Sequence, residues 1–276
     1  DWLIENLLPI GTALLAGPPK IGKSYFILSL IKKIFDDNKG IYYFAGEDSL
    51  RRLQTRLKQL DIKPGSGEAY FHAGRTSPLG DNAFEHIEDF LNQKPSVRAV
   101  FIDTMQLVLP RQSKTRDYGA YVHELKPWAD LACQKNVCIL MVHHTRKNNG
   151  DSDQYPIDGV LGSQGINASF DTILVMKKAK DGQGSVLSVT GKDVEENDYR
   201  LERQQYGWEI KGLETIASLG ERQSDVYNFI TENPGITQTQ LSRELSMDLG
   251  NLSRRITKQI KLNLIKKENL GLYAIK

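Results

Sequence analysis

The chain has 276 residues, with 36 basic and 34 acidic side chains and a formal net charge of +2. Its 39% hydrophobic and 25% charged residues are ordinary for a soluble globular protein, and so small a net charge does not by itself indicate a partner. No stretch approaches the roughly 20 apolar residues of a membrane span and no signal peptide is visible, so we expect a cytoplasmic protein with no membrane partner. Because the first residue is Asp1 and not Met, we expect a missing segment upstream.

Strands and helices are predicted to alternate through most of the chain before residue 218. The predicted strands are Gly11–Gly17, Gly40–Asp48, one within Val97–Leu109, and Val137–His144. The predicted helices are Lys23–Phe35, Ser49–Leu60 and Tyr121–Asn136. A hairpin is predicted from Asp171–Ala179 and Gly184–Lys192, with Tyr206–Ile210 closing the edge of the sheet. This alternation predicts an α/β fold with a mostly parallel sheet covered by helices on both faces.

Three further features stand outside this pattern. Two polar segments, Pro110–Gly119 and Arg146–Gly165, are rich in Gly, Asn and Asp. The second is too long for an ordinary connection within a compact domain, which predicts a functional or mobile loop.

The two cysteines, Cys133 and Cys138, fit no metal or redox spacing, so we expect buried free thiols in a reducing compartment.

The segment GPPKIGKS, Gly17 to Ser24, matches the P-loop pattern G-x-x-x-x-G-K-[ST]. Its glycines let backbone N–H groups turn towards phosphates, Lys23 reaches the β- and γ-phosphates, and the Ser24 hydroxyl ligates Mg²⁺. A plain turn is the other interpretation, but the apolar strand before and the helix after favour a site for ATP and Mg²⁺. The predicted nucleotide-binding residues of this segment are Gly17, Pro18, Pro19, Lys20, Ile21, Gly22, Lys23, Ser24 and the following Tyr25.

Acidic residues are predicted to complete this site. Asp103 ends the apolar strand in AVFIDT, where a Walker B carboxylate holds Mg²⁺ together with Ser24. Hydrolysis also needs a group that positions or deprotonates water, and no Glu follows Asp103 directly. Glu47 is the leading candidate for this base and Asp48 its rival, although acids also suit the start of the next helix.

These motifs together resemble those of RecA-type ATPases, in particular the replicative-helicase branch. The similarity rests on the glutamate that ends the strand after the P-loop helix and on FIDTMQLV, which is similar to the Walker B run of DnaB-type helicases. It also rests on MVHHTRK, which is similar to a His-His segment of the plasmid RepA hexameric helicases, and on LGSQGINASFDTILVM. The likeness covers about Leu3 to Glu196.

The resemblance implies roles for the matching positions. It makes Glu47 the catalytic base, His144 the γ-phosphate sensor and Gln106 a contact to the nucleotide or to a loop. The two polar segments correspond to loops that grip single-stranded DNA in the channel of a homo-hexamer. Their candidate phosphate contacts, with solvated loop charge as the alternative for each, are Lys114, Arg116, Arg146 and Lys147.

The resemblance also implies catalysis between subunits, because a neighbour supplies a cation to the γ-phosphate in such ATPases. It assigns that cation to Lys192 in VTGKDVEEN, with Arg56 either contributing or merely exposed on its helix. DnaB-type sequences carry Lys-x-Arg here, whereas this chain has Val194 at the third position. Since lysine cannot make the bidentate contact of arginine, we expect weaker activation in trans.

From Glu221 the pattern changes to three predicted helices and a terminal hairpin, which resembles a winged helix-turn-helix. Either Thr237 or Thr239 is expected to cap the second helix. The third helix is predicted to offer duplex DNA the side chains of Arg254, Arg255 and Lys258, and binding to a replication protein is the alternative. We therefore predict two domains, 1–217 and 218–276.

The leading interpretation is an ATP-dependent DNA helicase or translocase of RepA type, which hydrolyses ATP at the subunit interfaces of a replication ring. One alternative is an ATP-switched regulator that binds DNA without unwinding it, and another is a recombination accessory ATPase. A motor requires basic channel loops and rapid turnover, whereas a switch requires neither.

Overall fold

The structure, a computed structural model, describes residues 1–62, 68–74, 82–109, 118–145, 166, 168–179, 181–214, 221–261 and 264–275. The chain divides into two compact units, Asp1–Ile210 and Lys211–Lys276. The strands that begin in the first unit are β1 (Trp2–Ile4), β2 (Leu8–Pro9), β3 (Gly11–Gly17), β4 (Gly40–Ala45), β5 (Ala69–Ala73), β6 (Val97–Asp103), β7 (Cys138–His144), β8 (Thr172–Lys178), β9 (Ser185–Gly191), β10 (Asn197–Gln204) and β11 (Gly207–Leu213). The helices are α1 (Lys23–Asp36), α2 (Leu50–Gln59), α3 (Ala83–Gln93) and α4 (Tyr118–Lys135), with a 3₁₀ turn at Met105–Leu107.

Among the described residues, nine strands form one sheet in the order β5-β4-β6-β7-β3-β8-β9-β10-β11. The strands from β5 to β8 in this order run parallel, and β9 and β10 follow antiparallel. The register pairs Gly17 with His144 and Ala45 with Asp103, so these strand ends share the carboxyl edge of the sheet. The predicted α/β fold and the β8–β9 hairpin are confirmed, and β11 lies at the sheet edge as expected.

Apolar side chains on both faces of the sheet form two cores. On β3, Ala13 and Leu15 pack into one core and Leu14 and Ala16 into the other, because successive side chains point to opposite faces. Burial on both faces explains why the central strands read as continuous apolar runs. In the described part of the chain, every helix is too short or too polar to cross a lipid bilayer.

The two cysteines only partly match the expectation of buried thiols. Both are free, and burial of Cys138 on β7 raises the pKa of its thiol to about 12. Cys133 is exposed, so the expectation was wrong for this residue. It lies on an outward turn of α4, beside the buried Ala132 that faces the core.

The second unit is a winged helix-turn-helix. Its elements are α5 (Glu221–Glu232), β12 (Ile236–Thr237), α6 (Gln238–Glu244), α7 (Leu249–Lys261), β13 (Ile265–Glu268) and β14 (Gly271–Ala274), and the sheet order is β12-β14-β13. Thr237 caps α6, since its hydroxyl accepts from the Gln240 N–H while the Gln240 side chain accepts from the Thr237 N–H. Apolar residues from helices and wing form a separate core, which includes Val226, Leu241, Leu252 and Leu272.

Candidate nucleotide site

The segment between β3 and α1 turns sharply at Gly22. This residue has a φ of +105°, in the left-handed region that glycine occupies without strain. A Cβ atom at Gly22 would lie 2.8 Å from Trp208 Nε1 and 3.1 Å from Arg203 Nη1, so the position has no room for a side chain either. The turn leads directly into α1, whose N-terminal end favours an anion.

Lys23, the first residue of α1, has its ammonium group buried beneath the turn. Its Nζ donates hydrogen bonds to the carbonyl oxygens of Gly17 at 2.8 Å and Pro18 at 3.1 Å, and lies 3.0 Å from Nδ1 of His144. Burial lowers the pKa of Lys23 to about 8, although the charges of Asp103 and Glu47 oppose this shift. A phosphate would favour the charged ammonium and offset the cost of burying it.

Ser24 and Asp103 form the oxygen pair predicted for a metal ion. The Ser24 hydroxyl donates to Asp103 Oδ2 at 2.7 Å, and Tyr43 donates to the same oxygen at 3.4 Å. Burial raises the pKa of Asp103, which a cation would relieve. No group of three or more His, Cys, Asp or Glu side chains among the described residues could hold a metal ion. The hydroxyl of Ser24 and the carboxylate of Asp103 are hard oxygen ligands, and such a pair fits Mg²⁺, an ion that usually completes its shell with water and phosphate.

His144, at the end of β7, links the lysine to the predicted base. Its Nε2 lies 3.5 Å from Glu47 Oε2, while its Nδ1 faces Lys23. Because the Lys23 ammonium can only donate, Nδ1 must accept, and the ring proton then lies on Nε2 towards Glu47. The Glu47 carboxylate is half exposed and faces the same cavity. The structure therefore brings Lys23, Glu47 and His144 together.

Gln106 lies beside the neighbouring histidine. Its Nε2 is 2.8 Å from His143 Nδ1. Burial, together with the charges of His144 and Lys23, lowers the pKa of His143 to about 4. The contact predicted between Gln106 and the nucleotide thus stays a prediction, and the structure gives Gln106 a bond to a neutral imidazole.

The cavity above the P-loop has a volume of about 460 Å³. It is lined by Lys20, Ile21, Gly22, Lys23, Ser24, Tyr25, Glu47, Arg56, His144, Arg203 and Trp208. The guanidinium groups of Arg56 and Arg203 lie 4.6 Å and 4.3 Å from the centre of the Tyr25 ring, and Arg203 also lies 5.1 Å from the Trp208 ring. These flat groups can stack on a planar ligand. Sequence reasoning missed Arg203 and Trp208, although it placed Tyr206–Ile210 at the sheet edge.

Asp48, the alternative candidate for the catalytic base, forms ion pairs with two arginines of α2. Its carboxylate pairs with Arg56 and lies 3.3 Å from Arg52 Nη1. The side chain is 9% exposed, against 50% for Glu47. Asp48 therefore orients Arg56 beside Tyr25, and Glu47 is better placed to meet a water molecule.

Comparison with known proteins fits this geometry. A family model described as an AAA domain matches residues 1–150, which is more than half of the chain. The chain belongs to this AAA domain family. A second family model, described as a winged helix-turn-helix DNA-binding domain, matches residues 220–266.

Two curated proteins and one solved structure are similar to part of this chain. The DNA repair protein RadA of Rickettsia bellii is 29% identical over 193 residues, and that of Listeria monocytogenes 25% over 191 residues. These matches cover 66% and 67% of this chain but 40% and 39% of those proteins, so the chain spans about two fifths of their length. The structure of the ATPase domain of G40P superposes with a TM-score of 0.62 at 14% identity, over 74% of this chain and 85% of that one. The chain is thus a P-loop ATPase with a RecA-like core and a C-terminal winged helix.

Lys192 does not reach the nucleotide cavity of its own chain. Its Nζ donates to Asp171 Oδ1 at 2.8 Å, and the other oxygen of Asp171 accepts from the backbone and hydroxyl of Thr12. Thr12 and Gly17 are five residues apart on β3, or about 16 Å, which no lysine side chain spans. Val194, where DnaB-type sequences carry Arg, is buried in the core. Lys192 therefore lies at the edge of the sheet opposite to the P-loop.

The predicted DNA contacts fall into two groups. Lys114, Arg116, Arg146 and Lys147 lie outside the described residues. Arg254, Arg255 and Lys258 lie on α7 of the winged helix. Arg254 donates to Asn251 Oδ1 at 2.7 Å, and Asn251 bonds in turn to Asp248, so the start of α7 is internally braced.

Proposed function

We propose that the chain is the Mg²⁺-dependent motor of a DNA helicase or translocase of RepA type, assembled as a homo-hexamer with ATP at the subunit interfaces. The observation that carries the proposal is the position of Lys192. Lys23, Glu47 and His144 surround one cavity, whereas Lys192 lies at the opposite edge of the sheet. Since Lys192 cannot reach the cavity of its own chain, a second copy would have to supply this cation.

The residues of the cavity suggest how hydrolysis proceeds. Lys23 neutralises the terminal phosphates, and Glu47 accepts a proton from the attacking water. Ser24 and Asp103 hold Mg²⁺, which supplies positive charge to the phosphate oxygens when it is bound. His144 contacts both Lys23 and Glu47, so it is suited to sense the γ-phosphate. Tyr25, with the guanidinium of Arg203, offers the nucleobase a flat surface.

DNA is the proposed partner of the basic segments of the chain. In this proposal the segments at 110–119 and 146–165 grip single-stranded DNA, and α7 binds duplex DNA or a replication protein. The family description of residues 220–266 as DNA-binding supports the role of α7. The chain then acts in the cytoplasm, where its two free thiols stay reduced.

A second candidate is an accessory ATPase of DNA repair or recombination, and a third is an ATP-switched DNA-binding regulator. The resemblance to proteins named DNA repair protein RadA favours the accessory ATPase. The buried Val194 favours either of them over a fast motor, because it leaves a single cation for activation in trans.

The first test is steady-state ATP hydrolysis with and without single-stranded DNA, and with Mg²⁺ withheld. The motor requires strong stimulation by DNA that Lys23→Ala abolishes, whereas Lys33→Ala, at an exposed lysine on the same helix, leaves it unchanged. Slow hydrolysis that is indifferent to single-stranded DNA would rule out the motor and favour the regulator.

The second test addresses catalysis between subunits. Lys23→Ala inactivates the P-loop but keeps Lys192. Lys192→Ala keeps the P-loop intact but removes the cation proposed to act on the neighbouring subunit. Each variant alone should be inactive, while an equimolar mixture should regain activity, because interfaces that join the two intact halves form in the mixture. A mixture as inactive as its parts would contradict the proposed trans role of Lys192.

A further inference from the structure

One side of the nucleotide cavity continues into a basic surface on α2, formed by Arg51 and Arg52 and called the α2 basic surface below. Together with Ser49, Thr55 and Gln59 these arginines surround a second cavity of about 450 Å³. Tyr25 and Arg56 line both cavities, so the two adjoin. The sequence of α2, LRRLQTRLKQ, contains three arginines and no acid, and the single negative charge of Asp48 lies beside only two of them, Arg52 and Arg56. The α2 basic surface therefore keeps unbalanced positive charge.

The turn between β9 and β10 carries the opposite charge. Its acidic residues Asp193, Glu195 and Glu196 are exposed and are called the acidic turn below. Val194 between them is buried in the core and fixes the turn to the sheet. Within the described ranges, no lysine or arginine forms an ion pair with these three acids.

The position of Lys192 links the two surfaces. Lys192 directly precedes the acidic turn, and the three residues to Glu195 and the four to Glu196 span at most about 11 Å and about 14 Å of extended chain. If Lys192 of one copy enters the nucleotide cavity of another, as the proposed function requires, Glu195 and Glu196 must lie at the rim of that cavity. The α2 basic surface forms part of this rim.

We propose that the acidic turn of one copy docks on the α2 basic surface of the neighbouring copy and thereby seats Lys192 at the neighbour's nucleotide. This inference rests on the proposed function and names the partner surface of the same site. The two surfaces differ from each other, so the contact is head-to-tail and can close a ring. Charge complementarity of this kind fixes register and suppresses wrong pairings more than it adds affinity.

Charge reversal on each side tests the contact. The variants are Arg51→Glu with Arg52→Glu, and Glu195→Lys with Glu196→Lys, in the full chain. Assembly is followed by sedimentation velocity with Mg²⁺ and a non-hydrolysable ATP analogue. Each double variant should raise the protein concentration for half-assembly by about tenfold, because like charges then face each other. An equimolar mixture of the two should assemble like the wild type, because every interface of an alternating ring is complementary.

The control matched to Glu195→Lys with Glu196→Lys is Glu85→Lys with Asp89→Lys on α3, which makes the same charge change at exposed positions elsewhere and should leave assembly unchanged. Rescue in the mixture also shows that both double variants are folded. The proposal is overturned if either double variant assembles like the wild type, or if the mixture assembles no better than its parts. Since the readout needs no hydrolysis, failure here is distinguishable from failure of the mixing test with Lys23→Ala and Lys192→Ala.

Discussion

The indole Nε1 of Trp208 donates a hydrogen bond of 3.1 Å to the carbonyl oxygen of Gly22. This bond joins β11, late in the chain, to the turn that begins α1. The backbone N–H of Trp208 also donates to the Ser29 hydroxyl at 2.9 Å, about two turns further along α1. Strand β11 therefore stabilises the position of the P-loop, in addition to the strand β3 and the helix α1 that flank it.

Replacing the indole by a ring without a donor should loosen this turn. Trp208→Phe keeps an aromatic surface for Arg203 but loses the bond to Gly22, which is worth about 1 kcal/mol. We expect ATP to bind roughly fivefold more weakly, as measured by titration with a fluorescent ATP analogue. Trp2→Phe, at an exposed tryptophan of β1, serves as the control. Equal affinities of Trp208→Phe and the wild type would show that the bond does not support the site.

The sequence predicted the part of the cavity that is formed by the P-loop itself and by the ends of the parallel strands. Gly17–Ser24 has a local signature, and Asp103 and His144 follow apolar strands whose carboxyl ends must share an edge when the sheet is parallel. Arg203 and Trp208 have no such signature, because they reach the P-loop only through antiparallel strands added about 180 residues later in the chain. Likewise β5 was not predicted, since only Ala69 of its five residues is buried and no apolar run marks it.

Glu47 and Asp48 are adjacent in sequence, but loss of their charges should affect the rate of ATP hydrolysis differently. Glu47→Gln should slow ATP hydrolysis about 10²–10⁴-fold in a single turnover while ATP still binds, because only the proton acceptor is lost. Asp48→Asn should lower hydrolysis much less, since its carboxylate pairs with Arg56 and Arg52 and not with the reacting groups.

Measurements of nucleotide affinity and thermal stability on the same two variants distinguish the catalytic role of Glu47 from the positioning role of Asp48. Asp48→Asn should reduce thermal stability and nucleotide affinity together, because it releases Arg56 from its place beside Tyr25. If Asp48→Asn instead abolished hydrolysis and Glu47→Gln left it intact, the base would have to be reassigned to Asp48.

His143 should make the fold sensitive to mild acid. Its pKa is lowered from 6.5 to about 4, so between these pH values the unfolded chain binds a proton that the folded chain does not. The free energy of unfolding therefore falls as pH drops, by at most about 1.4 kcal/mol per pH unit from this residue. His143→Gln should lose less stability than the wild type between pH 6.5 and 4.5 in urea unfolding. His123→Gln, at an exposed position of α4, should follow the wild type, and parallel curves for all three proteins would contradict the assignment.

The winged helix should bind duplex DNA chiefly through charge. Lys258 is exposed on α7, so Lys258→Ala should weaken binding to different sequences by similar factors and reduce the slope of log K against log salt by about 0.9. Arg254 is held in place by its hydrogen bond to Asn251. Because its guanidinium is oriented, the loss of affinity in Arg254→Ala should differ more from one DNA sequence to another. Fluorescence anisotropy at several salt concentrations measures both effects, with Arg243→Ala on α6 as the control. Salt slopes that stay the same in all variants would mean that α7 does not contact the phosphates, and a protein would then be the better candidate for its partner.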